Sequence, residues 1–448
     1  MSLLAQLPIV AIVGRPNVGK STLFNRFAGH RRALALDEPG ITRDRIAEEV
    51  EVSGRRVLLV DTAGLDPDAQ AGLAAAIQAQ ARSAIAGADA ILFLVDGKAG
   101  LLPEDAELAR LLRRSDKPVT LVVNKIDVPE HALRLGEFHR LGIERTRGVS
   151  AEHGGGAWDA LEEIVALLPE SPPDLAPAAG EGVRIAVVGR PNVGKSSIVN
   201  RLVGEERVVV SDVPGTTRDA IDVRVEHAGQ RFLLVDTAGL RRAGRRILSA
   251  ERGSALMTVR ALERANVAMV VIDAVEGATD QDARVANLSL ERGCAVGLIL
   301  NKWDLVAGQG EAQIARLLDE VRRRLRFLGE APLLTVSAKT GAGIGRIFEL
   351  SQRLAAAVER KIGTAELNRW LSKTVALHDP AMAQRGPRRK PVKFYYATQM
   401  GTRPPTFVLF CSEPDAVQSS YRRFLENQLR ESFDLAGAPV RLRLRSRH

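Results

Sequence analysis

Two stretches, GRPNVGKST at residues 14–22 and GRPNVGKSS at residues 189–197, carry the residue types and spacing that bind phosphate. Each follows an apolar run and precedes an amphipathic segment, as Ile9 to Val13 and then Leu23, Phe24 and Phe27 do in the first. Glycines without side chains let main-chain N–H groups converge on phosphate oxygens, and the helix start adds its positive dipole end. The groups so placed are Gly14, Asn17, Val18, Gly19, Lys20, Ser21 and Thr22, and then Gly189, Asn192, Val193, Gly194, Lys195, Ser196 and Ser197. Lys20 and Lys195 supply a point charge, and Ser21 and Ser196 a hydroxyl for Mg²⁺. Asp61 and Asp236 each end an apolar run and open the sequence DTAGL. A carboxylate there contacts Mg²⁺, and the following Gly64 and Gly239 bring main chain to a γ-phosphate. Thr42 and Thr217, each 22 residues beyond its lysine, complete the magnesium shell. Lys20, Lys195, Thr42, Thr217, Gly64 and Gly239 are therefore the candidate catalytic residues.

The base is chosen by NKID at 124–127 and NKWD at 301–304. A carboxylate accepts two hydrogen bonds from N1–H and the exocyclic amine of guanine, a donor pair adenine lacks. Asp127 and Asp304 thus specify GTP and GDP, Asn124 and Asn301 brace the loops, and Lys125 and Lys302 lie along the base. Leaving such a carboxylate unpaired against adenine costs several kcal/mol in order of magnitude. Ser150-Ala151 and Ser337-Ala338 close the pocket through main-chain N–H groups.

Elements that position these residues follow from the repeat itself, for which duplicated units are the expected cause. The offset is 175 residues through the phosphate loop, the threonine and the DTAGL segment, then 177 at the NKxD and 187 at the Ser-Ala. Short apolar runs (Ile9 to Val13, Arg56 to Val60, Ala90 to Val95, Val119 to Val123) alternate with helix-length patterns. That alternation predicts an α/β fold in each copy, a mainly parallel sheet with helices on both faces. The Pro- and Ala-rich stretch 169–182 reads as a linker. The division is a first G domain at 1–168, a second at 183–360 and a carboxy-terminal domain at 361–448.

Five ordered motifs, twice over, resemble the translation-factor-related GTPases, and the tandem arrangement resembles the EngA family, also called Der. The resemblance covers nearly the whole chain. It implies two P-loop G domains, a C-terminal α+β domain similar to a KH fold, hydrolysis of GTP with Mg²⁺, and a role in assembly of the large ribosomal subunit, with rRNA and not DNA as partner. Leu65 and Leu240 stand where Ras-like enzymes have a water-orienting glutamine. Asn17 and Asn192 match an asparagine that helps bind K⁺ in related GTPases; stabilising the loop turn is the competing reading. Arg241, Arg242, Arg245 and Arg246 read as surface charge.

Residues 361–448 hold sixteen Lys and Arg against seven Asp and Glu, a difference of +9 that equals the net charge of the whole 448-residue chain. A basic segment on a neutral body points to a polyanionic partner, nucleic acid before membrane. Its pattern predicts a helix over Ala365 to Val375, a basic loop from Gln384 to Lys390, strands over Val392 to Gln399 and Thr406 to Cys411, a helix with Val417, Tyr421, Phe424, Leu425 and Leu429 on one face, and a last strand. Val440, Leu442 and Leu444 alternate there with Arg441, Arg443 and Arg445. No Gly-x-x-Gly loop occurs in the segment, which argues against clamping RNA in the KH manner. Phe394, Tyr395 and Tyr396 are assigned to the core rather than to base stacking.

Apolar runs are far shorter than the roughly 20 residues of a membrane span. The first residues lack a basic leader, so a cytoplasmic protein is expected. No heptads argue for assembly, and a monomer is expected. Cys294 and Cys411 have no metal-ligand spacing and read as buried free thiols. Two other readings stay open: a GTPase of tRNA modification or the membrane, and a nucleotide-gated RNA-binding scaffold with little turnover.

Overall fold

The computed structural model describes residues 7–32, 47–62, 73–128, 135–169, 182–204, 222–235, 255–378, 382–383 and 390–446. The chain divides into two compact units, one of Ser2–Ala176 with Ser254–Glu263, the other of Pro177–Gly253 with Arg264–His448.

In the first unit the strands are β1 (Ile9–Val13), β2 (Ala47–Val52), β3 (Arg55–Asp61), β4 (Ala90–Asp96), β5 (Val119–Asn124) and β6 (Arg145–Gly148). They form one sheet in the order β2-β3-β1-β4-β5-β6, in which only β2 runs antiparallel to its neighbour. Every residue of β1 and β4 is buried, the mark of a strand covered on both faces. Helices α1 (Lys20–Arg32), α2 (Leu73–Gly87), α3 (Pro103–Arg113) and α4 (Ala157–Ala166) connect the strands or close the unit. Phe24 and Phe27 of α1 and Leu161 and Ile164 of α4 meet Ile12, Leu59 and Leu92 in a common core.

The second unit repeats the pattern with β7 (Val183–Val188), β8 (Val223–His227), β9 (Gln230–Leu234), β10 (Val267–Asp273), β11 (Ala295–Asn301) and β12 (Leu333–Thr335) in the order β8-β9-β7-β10-β11-β12. Helices α5 (Lys195–Gly204), α6 (Asp280–Glu291) and α7 (Arg346–Glu359) are the counterparts of α1, α3 and α4. The mainly parallel sheets predicted from the repeat are therefore present in both copies.

The carboxy-terminal segment belongs to this second unit. It holds α8 (Thr364–Leu377), two short strands β13 (Met382–Ala383) and β14 (Lys390–Pro391), and a sheet of β15 (Phe394–Thr402), β16 (Pro405–Cys411) and β17 (Arg441–Ser446), with α9 (Ser419–Ser432) before the last strand. One apolar cluster runs from Ile299 and Leu354 to Trp370, Leu425, Phe433 and Leu442 without a break. The joint is also polar: the Val296 amide donates to Gly437 O at 2.8 Å, Arg441 Nη2 to Glu291 O at 3.2 Å, and Arg403 pairs with Glu359.

Leu442 is buried while Arg441, Arg443 and Arg445 are exposed, as the alternation predicts. The aromatic assignment is different. Phe394 packs on the core, but Tyr395 is 43% and Tyr396 40% exposed. A bulge between Phe394 and Tyr396 inserts one residue, so two positions that strict alternation places on one face lie on opposite faces. Cys294 and Cys411 are free and buried, and burial pushes the Cys411 thiol up to about 11, which makes it inert. The loop 384–389 lies outside the described residues. Among the described residues no helix is long and apolar enough to cross a membrane.

Candidate functional site

Parallel strands end together, and in each sheet the polar residues of its own motif set gather at the carboxyl ends of the strands. Asp61 is in register with Ile12, Asp96 with Asn124, and Asp273 with Asn301. The crevice outside the carboxyl ends of such strands is where open α/β sheets bind ligands.

In the first copy the phosphate loop leaves β1 and turns into α1 at Lys20. Asn17 and Gly19 have φ of 65° and 98°, left-handed values that asparagine tolerates and glycine adopts freely. A Cβ on Gly19 would meet Asn124 Nδ2 at 2.2 Å, and one on Gly14 would meet Leu94 O at 2.4 Å, so both close approaches require glycine. Lys20 Nζ donates to Gly14 O at 2.6 Å and Arg15 O at 2.8 Å. Burial lowers this ammonium to about 8; Asp61 works against that shift and Arg15 adds to it. Ser21 Oγ donates to Asp61 Oδ2 at 2.6 Å, which makes a hydroxyl and a carboxylate neighbours at the helix start. An all-oxygen pair of this kind suits a hard divalent cation. Val18 is buried behind the loop, and Thr22 points outward from the first turn.

Asn124 joins three loops. Its Nδ2 donates to Val18 O at 2.8 Å, and its Oδ1 accepts from the Ala151 amide at 2.9 Å. Lys125, itself at φ 69°, reaches Asn17 O at 3.2 Å and Asp96 Oδ2 at 2.6 Å. Burial raises Asp96, but the Lys125 bond and the amides of Ala99 and Lys98 outweigh it and hold the carboxyl low. Asp127 accepts from Ser150 Oγ at 2.6 Å through Oδ1 and pairs with Lys98 Nζ at 2.7 Å through Oδ2. Lys98 first and Ser150 second hold it below the usual carboxylate range. A carboxylate has about four lone-pair sites, so both oxygens retain acceptor capacity for a ligand.

The second copy reproduces this pattern atom for atom in most places. Asn192 has φ 62° and Gly194 φ 97°, and Lys195 Nζ donates to Arg190 O at 2.5 Å. Gly189 lies against Val271 O as Gly14 does against Leu94 O. Asn301 Nδ2 donates to Val193 O at 2.8 Å and its Oδ1 accepts from the Ala338 amide at 3.0 Å. Lys302 pairs with Asp273 at 2.5 Å, and Ser337 Oγ donates to Asp304 Oδ1 at 2.5 Å. Ser196 and Ser197 occupy the first turn of α5. Where the first copy has Lys98, the second has Val275, 58% exposed. Thr42, Gly64, Thr217, Asp236 and Gly239 lie outside the described residues, as do Leu65, Leu240 and the arginines at 241, 242, 245 and 246.

Sequence reasoning passed over one polar pair in each copy. Arg15 Nε donates to both oxygens of Asp105, at 2.9 and 3.1 Å, and Asp105 is fully buried in the first turn of α3, where it also accepts from the Leu102 amide. Arg190 pairs with Asp282 at 3.1 Å, equally buried in α6, and with Glu276 at 2.8 Å. Burial pushes both Asp105 and Asp282 up despite their arginines. The signal was available: Asp105 and Asp282 share the 177-residue offset of the NKxD motifs, as do Asp96 and Asp273.

Fold and site together define a P-loop GTPase with two G domains and an appended basic α+β domain. Residues 9–125 and 184–302 match the family described as 50S ribosome-binding GTPase, and residues 361–445 the KH-domain-like C-terminal domain of EngA bacterial GTPases. The chain is 45% identical over 435 residues to GTPase Der of Moorella thermoacetica, covering 97% of this chain and 98% of that one. It is 45% identical to GTPase Der of Geobacter metallireducens, covering 98% and 99%, and 48% identical to that of Symbiobacterium thermophilum, covering 98% and 92%. The chain belongs to the EngA, or Der, family of GTPases, and it binds and hydrolyses GTP to GDP and phosphate.

Proposed function

We propose that this GTPase acts in assembly of the large ribosomal subunit, in the cytoplasm and as a monomer, with RNA as the surface it reads. The observation that carries the reading is charge: the whole net +9 resides in residues 361–448, and that segment shares a core with the second G domain. The description of its family as 50S ribosome-binding supports it. We assign 1–168 and 183–360 as the two G domains, 169–182 as linker and 361–448 as the KH-like domain.

In each site the main-chain amides of the phosphate loop and the lysine hold the phosphates, and Asp127 or Asp304 reads guanine. The serine hydroxyl bonded to each aspartate fixes its rotamer, and the Asn124 and Asn301 bridges fix the loop that carries it. Ser21, Thr42 and Asp61, with Ser196, Thr217 and Asp236, would hold Mg²⁺, which when bound neutralises charge on the β- and γ-phosphates. Asn17 and Asn192 would help hold K⁺ beside the same phosphates; their left-handed φ is also explained by the turn alone. Phosphate release in KCl against NaCl tests that role, and equal rates refute it.

GTP in both sites favours subunit binding and hydrolysis favours release, since a switch needs differential affinity of its two states. Co-sedimentation with purified large and small subunits, in a non-hydrolysable GTP analogue against GDP, tests the proposal. Retention on the large subunit with the analogue is expected. Sedimentation that ignores nucleotide or subunit refutes it.

A further inference from the structure

The three-stranded sheet of the basic domain has two unlike faces. Ala397, Phe407, Leu409 and Leu442 point under the helices and are at most 1% exposed. On the other face Tyr396 of β15 is opposite Phe410 of β16, and Phe410 is opposite Arg445 of β17. The Tyr396 and Phe410 rings are stacked, with centroids 4.2 Å apart and planes at 16°. Thr398, Val408 and Arg443 form the neighbouring row, in which Val408 is buried and Arg443 exposed. The three strands contain no aspartate or glutamate.

We propose that this row is a binding site for an unpaired RNA base, which stacks on Tyr396 and extends the Tyr396–Phe410 pair while Arg445 and Arg443 take the flanking phosphates. The inference rests on the RNA reading of the basic domain given above. Every base has a π-face, so a ring held upright on a sheet accepts one without hydrogen-bond readout, and arginines along the row neutralise the backbone. A cross-strand aromatic pair also steadies a sheet, but stability alone does not require that one ring remain 40% exposed on the most basic domain of the chain. Val408 in the next row is buried, and the exposed large apolar side chains of β15 are Tyr395, Tyr396 and Met400, less surface than a stable protein interface buries. A duplex hides its base faces, so single-stranded RNA is the occupant with matching chemistry.

The test uses the full chain with a fluorescein-labelled adenosine dodecamer and, in parallel, a blunt RNA duplex of the same length. Tyr396→Ala is expected to weaken dodecamer binding about tenfold, and to leave duplex binding and GDP affinity at wild-type values. Tyr396→Trp should keep dodecamer binding, and its added indole fluorescence should be quenched by the dodecamer. Wild-type protein that does not bind the dodecamer, Tyr396→Ala protein that binds it as wild type does, or an indole signal it leaves unchanged each overturns the stacking site. Loss of dodecamer and duplex binding together, with GDP affinity intact, also overturns it. The ribosomal reading fails separately, on sedimentation: protein that stacks the dodecamer on Tyr396 but ignores both subunits keeps this site and loses that reading.

Discussion

Asp105 is the sharpest place to test how the phosphate loop is held. Its carboxylate is fully buried and bonded to Arg15 Nε and the Leu102 amide, and the Arg15 side chain is itself only 15% exposed. Asp105→Ala leaves a guanidinium inside without a counter-charge, which costs about 3–5 kcal/mol, and removes a helix-start acceptor worth about 1 kcal/mol. The sum, about 4–6 kcal/mol, is a large part of the 5–15 kcal/mol that typically holds a domain together. The pair itself contributes little, because burial raises the Asp105 carboxyl in spite of Arg15. The sign follows: a carboxyl with a raised folded-state pKa makes its charged form a net penalty above that value, and acid relieves it. Arg15→Met with Asp105→Leu should therefore restore stability to within about 1–2 kcal/mol of wild type. Urea unfolding followed through Trp158, which packs edge-on against Phe27 at 5.1 Å, reports on this unit. A loss below about 1 kcal/mol for Asp105→Ala, or a double variant as unstable as the single, would refute the reasoning.

Asp127→Asn exchanges an acceptor for a donor, so guanine affinity at the first site should fall by at least two orders of magnitude, consistent with several kcal/mol, while xanthosine diphosphate, which presents a carbonyl instead of the amine, gains; calorimetry with both nucleotides in a Lys195→Ala background checks it. Lys20, lowered by burial to about 8, should take up a proton when phosphates bind, so GDP affinity at that site should fall about fourfold from pH 7 to 8.5. Calorimetry in two buffers of different ionisation enthalpy reads the uptake directly, and flat affinity would contradict it. For stability the sign is opposite to that of a paired lysine: the lowered cation makes the unfolded chain bind more protons between about 8 and 10.5, and stability rises with pH there. Asn301→Ala removes two buried bonds, to Val193 O and from the Ala338 amide, and should cost about 2–4 kcal/mol while weakening nucleotide binding at the second site alone.

What the chain disclosed about itself divides along physical lines. The phosphate loop was legible because its geometry is local: a Cβ at Gly19 or Gly194 would lie 2.2 Å from an asparagine amide nitrogen, and the left-handed Asn17 and Asn192 stand two residues before those glycines. The parallel, doubly covered character of the sheets was legible because strands buried on both faces, such as Ala90–Asp96 and Val267–Asp273, read as unbroken apolar runs. The Arg15–Asp105 pair joins residues ninety apart, and no local period encodes such a contact; only comparison of the two copies exposes it, because a buried charge pair has to be duplicated whole or not at all. The aromatic run 394–396 misled for a different reason. Alternation predicts faces only while the ladder stays in register, and the bulge at Tyr395 turned a tyrosine that the pattern had placed inside onto the open face, where it is 40% exposed. Bulges concentrate where a strand re-aims a side chain toward a ligand, so the position at which sequence periodicity breaks is also the position at which a binding function outside the two nucleotide sites is best sought.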